Sequence, residues 1–350
     1  MAYATISKPS LHNNSVLYTG DETTHAITGV GFQPDLWWNK SRSGTHSGGV
    51  HCLFNSVRGA TKRLKSNSSD AEATISGVTA FDSDGVTLGS ENQSNGASTE
   101  YVGWNWKAGT TTGITQGSAT ITPSAYSFNT TAGFSIIKFT TPGSSTGTVP
   151  HGLGVAPKVI IGRITGSSSW QCGFDALQSG AWTSILSFNN TDAEATGNAA
   201  FGNTPPDSTL FTMNSANWGA SQDAIAYCFS EVKGYSKFGS YLGSGTSDGR
   251  YVYTGFKPSF ILSKKSSGAG TSWTIWDNKR PGYNPTDKIL HPNNTNAVNT
   301  ADDTDFLSNG FNLKATASGM NASGDTYVYL AFAESPFVAN VGSSIPTTAR

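Results

Sequence analysis

A glycine, an apolar residue, any residue, a proline and then a run of large apolar side chains recur three times in this chain. Gly31-Phe32-Gln33-Pro34 leads into Leu36-Trp37-Trp38, Gly154-Val155-Ala156-Pro157 into Val159-Ile160-Ile161, and Gly255-Phe256-Lys257-Pro258 into Phe260-Ile261-Leu262. Glycine tolerates the positive φ of a tight turn, and proline fixes φ while withholding a donor, so each pair ends one segment and launches another. The runs are too short for a helix and too apolar for a loop, which predicts strands covered on both faces. Gly31, Pro34, Gly154, Pro157, Gly255 and Pro258 are therefore a structural signature.

Two further echoes keep the same order. Asn67 to Thr74 (NSSDAEAT) returns as Asn189 to Thr196 (NNTDAEAT) and more loosely as Asn293 to Thr300 (NNTNAVNT). Tyr101-Val102-Gly103-Trp104-Asn105-Trp106 lines up with Ala224 to Phe229 and with Tyr327 to Phe332. Spacing is nearly constant from copy to copy (31 to 154, 70 to 192, 104 to 227), which predicts triplication of a unit of about a hundred residues, long enough for its own core. Short apolar runs separated by Gly, Asn, Asp and Ser predict an all-β fold: three tandem β-sandwich domains of jelly-roll or lectin-like type. The expected boundaries are an arm over 1–14, modules over 15–109, 133–234 and 235–337, a Gly/Thr/Ser-rich linker over 110–132, and a tail over 338–350.

Only 13% of residues are charged, yet 9 Trp, 18 Phe and 12 Tyr are spread evenly, which argues for packed cores rather than disorder. The net charge of −1 removes the electrostatic case for nucleic acid. Arg58, Lys62, Arg63 and Lys65 form the one basic cluster, expected as a solvated strand edge that discourages edge pairing. Three cysteines without C-x-x-C spacing write neither a disulfide framework nor a zinc site, and Cys52 and Cys172 read as small core residues. The start has no signal-peptide pattern and no run approaches membrane-spanning length, so synthesis in the cytoplasm without membrane insertion is expected.

Chemistry is hard to find. Asp82-Ser83-Asp84-Gly85 and Asp302-Asp303-Thr304-Asp305 lack the glutamate spacing of a calcium loop, and Asp84-Gly85 and Asn309-Gly310 read as turns. Asp70/Glu72 and Asp192/Glu194 could be imagined as a glycosidase pair. The third copy has Asn296 and Val298 there, so a solvent-facing loop is the expectation. His46 and His51 flank a Gly-Gly turn with no third ligand near. No catalytic residue, metal site or cofactor is expected. Trp104 and Trp106 fall where the other copies stay apolar, so they read as core. Trp170, Trp182, Trp218 and Trp273 stand in glycine- or serine-rich contexts that differ between copies, and are the candidate exposed rings.

Tyr18-Thr19-Gly20, Gly31-Phe32-Gln33-Pro34-Asp35, Asn39-Lys40-Ser41-Arg42, Ser56 to Lys62, Phe81 to Gly85 and Tyr101 to Gly109 together resemble a domain of structural and tail-associated proteins of tailed bacteriophages, especially marine ones. The likeness covers nearly all of the first module; the other two keep the Gly-x-x-Pro strand and the closing strand. It implies a non-enzymatic virion component, located in the virion as a homo-oligomer with other virion proteins as partners. A tail appendage, a fibre or an exterior capsid decoration would each fit, serving assembly and attachment to the host surface. The alternative is a carbohydrate-binding or glycan-cleaving protein that grips a host-surface glycan. A third is a secreted adhesin.

Overall fold

The computed structural model describes residues 4–43 and 49–337, with only the main chain described over 301–303. Each third of the chain builds one antiparallel sheet with the same core order: opening strand, closing strand, signature strand, return strand. In the first third these are Asn13–Thr19, Glu100–Trp106, Leu36–Ser41 and Cys52–Asn55. In the second they are Phe134–Thr140, Asp223–Phe229, Val159–Ile164 and Gln171–Phe174. In the third they are Ser236–Leu242, Thr326–Pro336, Phe256–Lys265 and Thr274–Asp277. Register corresponds too: Trp38 faces Trp104, Ile161 faces Tyr227, and Leu262 faces Leu330.

A smaller sheet packs outside each of these. Arg250–Tyr253, Gly310–Leu313, Asn299–Leu307 and Thr286–Ile289 form it in the third module, and His25–Ile27, Gly85–Leu88 and Val78–Asp82 in the first. The second module has two two-stranded pieces instead: Thr146–Pro150 pairs with Leu210–Asn214, and Ser184–Ile185 with Ala195–Thr196. The architecture is all-β and sandwich-like.

Alternation along a strand explains why the signature strands are apolar at successive positions. Trp37, Ile160 and Ile261 join three separate outer cores beneath the smaller sheets. Trp38, Ile161 and Leu262 turn the other way, into one central core shared by all three modules. Trp104, Trp106, Tyr227, Phe229, Leu330 and Phe332 of the closing strands join them there. Both faces of each main sheet are therefore buried, as the apolar runs predict. A small apolar cavity of about 30 Å³ lies at the centre, bordered by all three modules through Trp38, Trp106, Ile161, Tyr227, Leu262 and Leu330.

Two boundaries need correction. The expected arm is packed: Ile6 is in the central core, Pro9–Leu11 forms a 3-10 turn, and the opening strand begins at Asn13. The expected linker over 110–132 is part of the second module. Ile114 and Ile121 are buried in its outer core, and Ala125–Asn129 adds a strand to Phe134–Thr140. Gly and Ser content disguises a segment whose few apolar residues are all used. The expected tail over 338–350 lies outside the described residues.

Candidate functional site

The three signature glycines all take positive φ: 89° at Gly31, 74° at Gly154 and 82° at Gly255. Pro34 and Pro157 precede their strands, whereas Pro258 lies inside its strand, at a register shift. The Asp-Gly and Asn-Gly hairpins hold these turns in place. The Asp84 carboxylate accepts from the Gly29 and Gly31 amides at 3.0 and 2.5 Å, and the Asn309 carbonyl accepts from Thr254 and Gly255 at 3.0 and 3.1 Å. The Gly29 and Gly31 amides hold the Asp84 carboxyl below the usual carboxylate range.

The NSSDAEAT loop and its copies are seams between modules, not the free solvent loops expected. Asn67, Asn189 and Asn293 each accept the main-chain amide that starts the return strand, from His51, Trp170 and Trp273 at 2.9, 3.0 and 2.9 Å. Each loop then docks on the next module: Glu72 N donates to Thr165 O at 2.7 Å, Glu194 N to Ser266 O at 3.0 Å, and Val298 N to Arg42 O at 3.0 Å. The contacts close a ring, first to second to third to first. Because the main chain makes them, Val298 serves as well as glutamate.

The carboxylates themselves are engaged elsewhere. Asp70 pairs with Lys65 at 2.9 Å, Glu72 with Arg58 at 2.7 Å, and Glu194 accepts from Ser184 and Gln178. The expectation of a solvated basic edge fails at Arg58, which is buried and also donates to Leu53 O.

A buried cation sits at the same place in each seam: Lys40, Arg163 and Lys264. Arg163 donates to Ser68 O, Ser69 O and Asp70 O across the seam at 3.1, 3.0 and 2.8 Å. Lys40 donates to Ser41 O and Thr295 O, and Lys264 to Lys265 O. Burial pulls Lys40 and Lys264 down to about 8 and Arg163 to about 10. Closer to the centre, the Trp104 indole donates to Asp277 Oδ2 at 2.9 Å and Asn55 donates to the Tyr227 hydroxyl at 2.8 Å. The corresponding pair in the remaining seam, Leu330 and Phe174, is apolar.

All four candidate exposed tryptophans are buried, at 0% for Trp170 and Trp273 and 1% for Trp182 and Trp218. The Trp170 indole donates to Lys65 O at 2.8 Å, Trp273 to Ser187 O at 3.0 Å, and Trp218 to Ala200 O at 3.0 Å. The neighbouring glycines make room for rings. A Cβ on Gly162 would meet Trp218 Cη2 at 2.4 Å, and one on Gly173 would meet Trp182 Cζ3 at 2.5 Å.

His51 is buried beside Trp38, whose indole donates to its Nδ1 at 3.0 Å, and burial pushes it well below the usual imidazole range. His46 and the Asp302 and Asp303 side chains lie outside the described residues. Cys52, Cys172 and Cys228 are free, buried thiols. Among the described residues no group of three or more His, Cys, Asp or Glu is placed to hold a metal ion, and no helix is long and apolar enough to cross a membrane.

Three clefts border the signature turns. A cleft of about 540 Å³ is lined by Glu231, Lys233, Lys237, Tyr253, Thr254 and Gly255. A related one of about 340 Å³ is lined by Phe128, Thr130, Gly152, Gly154, Ser208 and Thr209. A third, of about 410 Å³, is lined by Gln33, Asp35, Ser56, Thr111 and Tyr126. Asp35 is used up there, accepting from Ser56, Ser127 and the Ala108 amide. Among the described residues the most exposed aromatic rings are tyrosines: Tyr251 at 43%, Tyr253 at 57% and Tyr283 at 80% exposure. Sequence reasoning gave weight to tryptophan and passed over these; their outward position in the smaller sheet is the signal that would have found Tyr251 and Tyr253.

No curated protein matches the chain, and no solved structure does. The family described as domain of unknown function DUF7483 matches residues 8–336, and the chain belongs to it.

Proposed function

We propose that the protein is a non-enzymatic structural component of the particle of a tailed bacteriophage, in a tail appendage, a fibre or an exterior decoration. We also infer that its three modules descend from one unit copied twice. The observation that carries the reading is the closed ring of seams. The main-chain amides of Glu72, Glu194 and Val298 and the buried Arg163 and Lys40 cations are spent on holding three sheets together, which is the chemistry of a rigid building block. The likeness of the first module to domains of phage structural and tail-associated proteins supports the same reading. A neutral, glycine-rich surface lets such blocks pack against copies of themselves and other virion proteins without charge repulsion.

The test is gold-labelled antibody against the protein on purified particles viewed by electron microscopy. Label at a fixed position on the particles is the expected result. Label found solely on free protein removed by particle purification overturns the reading.

A second reading, a carbohydrate-binding protein, is favoured by the exposed tyrosines. The four candidate exposed tryptophans, Trp170, Trp182, Trp218 and Trp273, are buried and offer it no platform.

A further inference from the structure

The smaller sheets agree in what they bury and differ in what they show. Ile27, Val149 and Val252 occupy corresponding positions on their first strands and are all buried. The flanking positions are the exposed Ala26 and Thr28 in the first module, the half-buried Thr148 and buried Pro150 in the second, and the exposed Tyr251 and Tyr253 in the third. The fold needs no ring at these places, since small side chains serve in two modules out of three. Two large rings are nevertheless held in solvent.

Their geometry is that of a prepared surface. Alternation puts both tyrosines on the solvent face, about 7 Å apart along the strand, with Arg250 and Val252 on the other face. Tyr251 lies over Gly310, its Cε2 3.0 Å from where a Cβ would stand, and its hydroxyl donates to Asn309 O at 3.3 Å. Glycine thus lets the ring lie close against the sheet, and the hydroxyl anchors it. Asn312 pairs opposite Tyr251, and Asp305 opposite Asn312. Tyr253 forms the rim of the 540 Å³ cleft, whose lining adds Ser236 and Thr254.

We propose that this strip binds a neutral polysaccharide, with the C–H faces of successive sugar rings on Tyr251 and Tyr253 and sugar hydroxyls on Asn312. The electron-rich faces of the rings attract C–H edges and faces. Two of the nearby cations are paired, Lys237 with Glu231 at 3.0 Å and Lys314 with Asp305 at 3.2 Å, and Arg250 lies on the opposite face of the strand from the tyrosines, which disfavours an anionic ligand. Two tyrosines amid polar groups offer too small an apolar patch for a stable protein interface. The proposal rests on the carbohydrate-binding reading for its ligand class and is independent of where the protein resides.

The test is electrophoresis of the purified full-length protein through native gels containing soluble xylan, mannan, mixed-linkage β-glucan or dextran, with a heparin gel as the polyanion control. We expect retardation by at least one neutral polymer. Tyr251→Ala and Tyr253→Ala should each weaken it about tenfold or more, as central aromatic contacts do. Tyr251→Phe should stay close to wild type because the ring remains, and thermal unfolding of all three variants should be unchanged. Retardation in no neutral gel, retardation by heparin alone, or retardation that survives the double alanine variant overturns the proposal. Particle labelling is a separate measurement, so either conclusion can fail without the other.

Discussion

Arg163→Met removes the guanidinium that ties the second module to the first and keeps a side chain of similar length. Five hydrogen bonds are lost, three of them across the seam to Ser68, Ser69 and Asp70 and two to the module's own Ile164 and Gly166 carbonyls. At about 1.5 kcal/mol each for a charged donor, the low end of the usual range, this is about 7 kcal/mol. Methionine recovers the desolvation that the buried cation bears. A pKa pulled from 12.5 to about 10 puts that at about 3 kcal/mol. The net expected loss is about 4 kcal/mol, in the range for breaking a buried charged network. Arg163→Lys should cost about half as much, because Lys40 and Lys264 fill the corresponding places in the other seams. The assay is urea unfolding followed by tryptophan fluorescence, since the guanidinium lies 5.4 Å from the centre of the Trp170 ring. A loss below about 1 kcal/mol for methionine, or equal losses for methionine and lysine, refutes the role given to the cation.

Stability should depend on pH in the alkaline range. Lys40 and Lys264 have folded pKa values of about 8 against 10.5, so the unfolded chain holds more protons from pH 8 upward and stability rises towards pH 9, by about 1 kcal/mol per lysine, until the Cys52, Cys172 and Cys228 thiols, raised by burial, keep protons that the unfolded chain loses and reverse the slope. Above pH 10 the buried phenols of Tyr18, Tyr235 and Tyr241, all raised by burial, keep protons that the unfolded chain loses, and stability falls further. Chemical unfolding at half-unit pH steps checks both limbs, and Lys40→Met with Lys264→Met should flatten the rising one. Gly162→Ala should cost about 2 kcal/mol or more, since its Cβ would strike Trp218 Cη2 and Ile225 O. Gly154→Ala, in open space at a φ of 74°, should cost about 1 kcal/mol, the left-handed backbone penalty alone; thermal melts compare the two. The native protein should not react with a thiol reagent, because burial pushes Cys52 up to about 11 and Cys228 to about 12; all three thiols should titrate on unfolding.

The strands were legible because a signature of glycine, proline and consecutive apolar residues has few other solutions. Leu36 to Trp38 could be read as covered on both faces from composition alone. The partner covering each face could not, since the central core takes every second residue from three distant segments. The asparagine loops were legible as repetition but not as seams, because their docking is done by main-chain groups that carry no side-chain signature. The tryptophans misled for a physical reason. A glycine near a tryptophan reads as an exposed turn, whereas Gly162 and Gly173 are the slots into which Trp218 and Trp182 fit. Segment 110–132 misled likewise: one strand and two isoleucines are enough to build it into the second module.

Each module offers a loop to the next and receives one from the last, and with three members every offer is taken. A chain from which one module had been excised would keep an unclaimed loop at one end and an unclaimed seat at the other. Such truncated chains would have complementary ends and no partner of their own to close on, and they would string head to tail. Completeness of the circle is thus what keeps this protein from growing into a filament through its own internal joints.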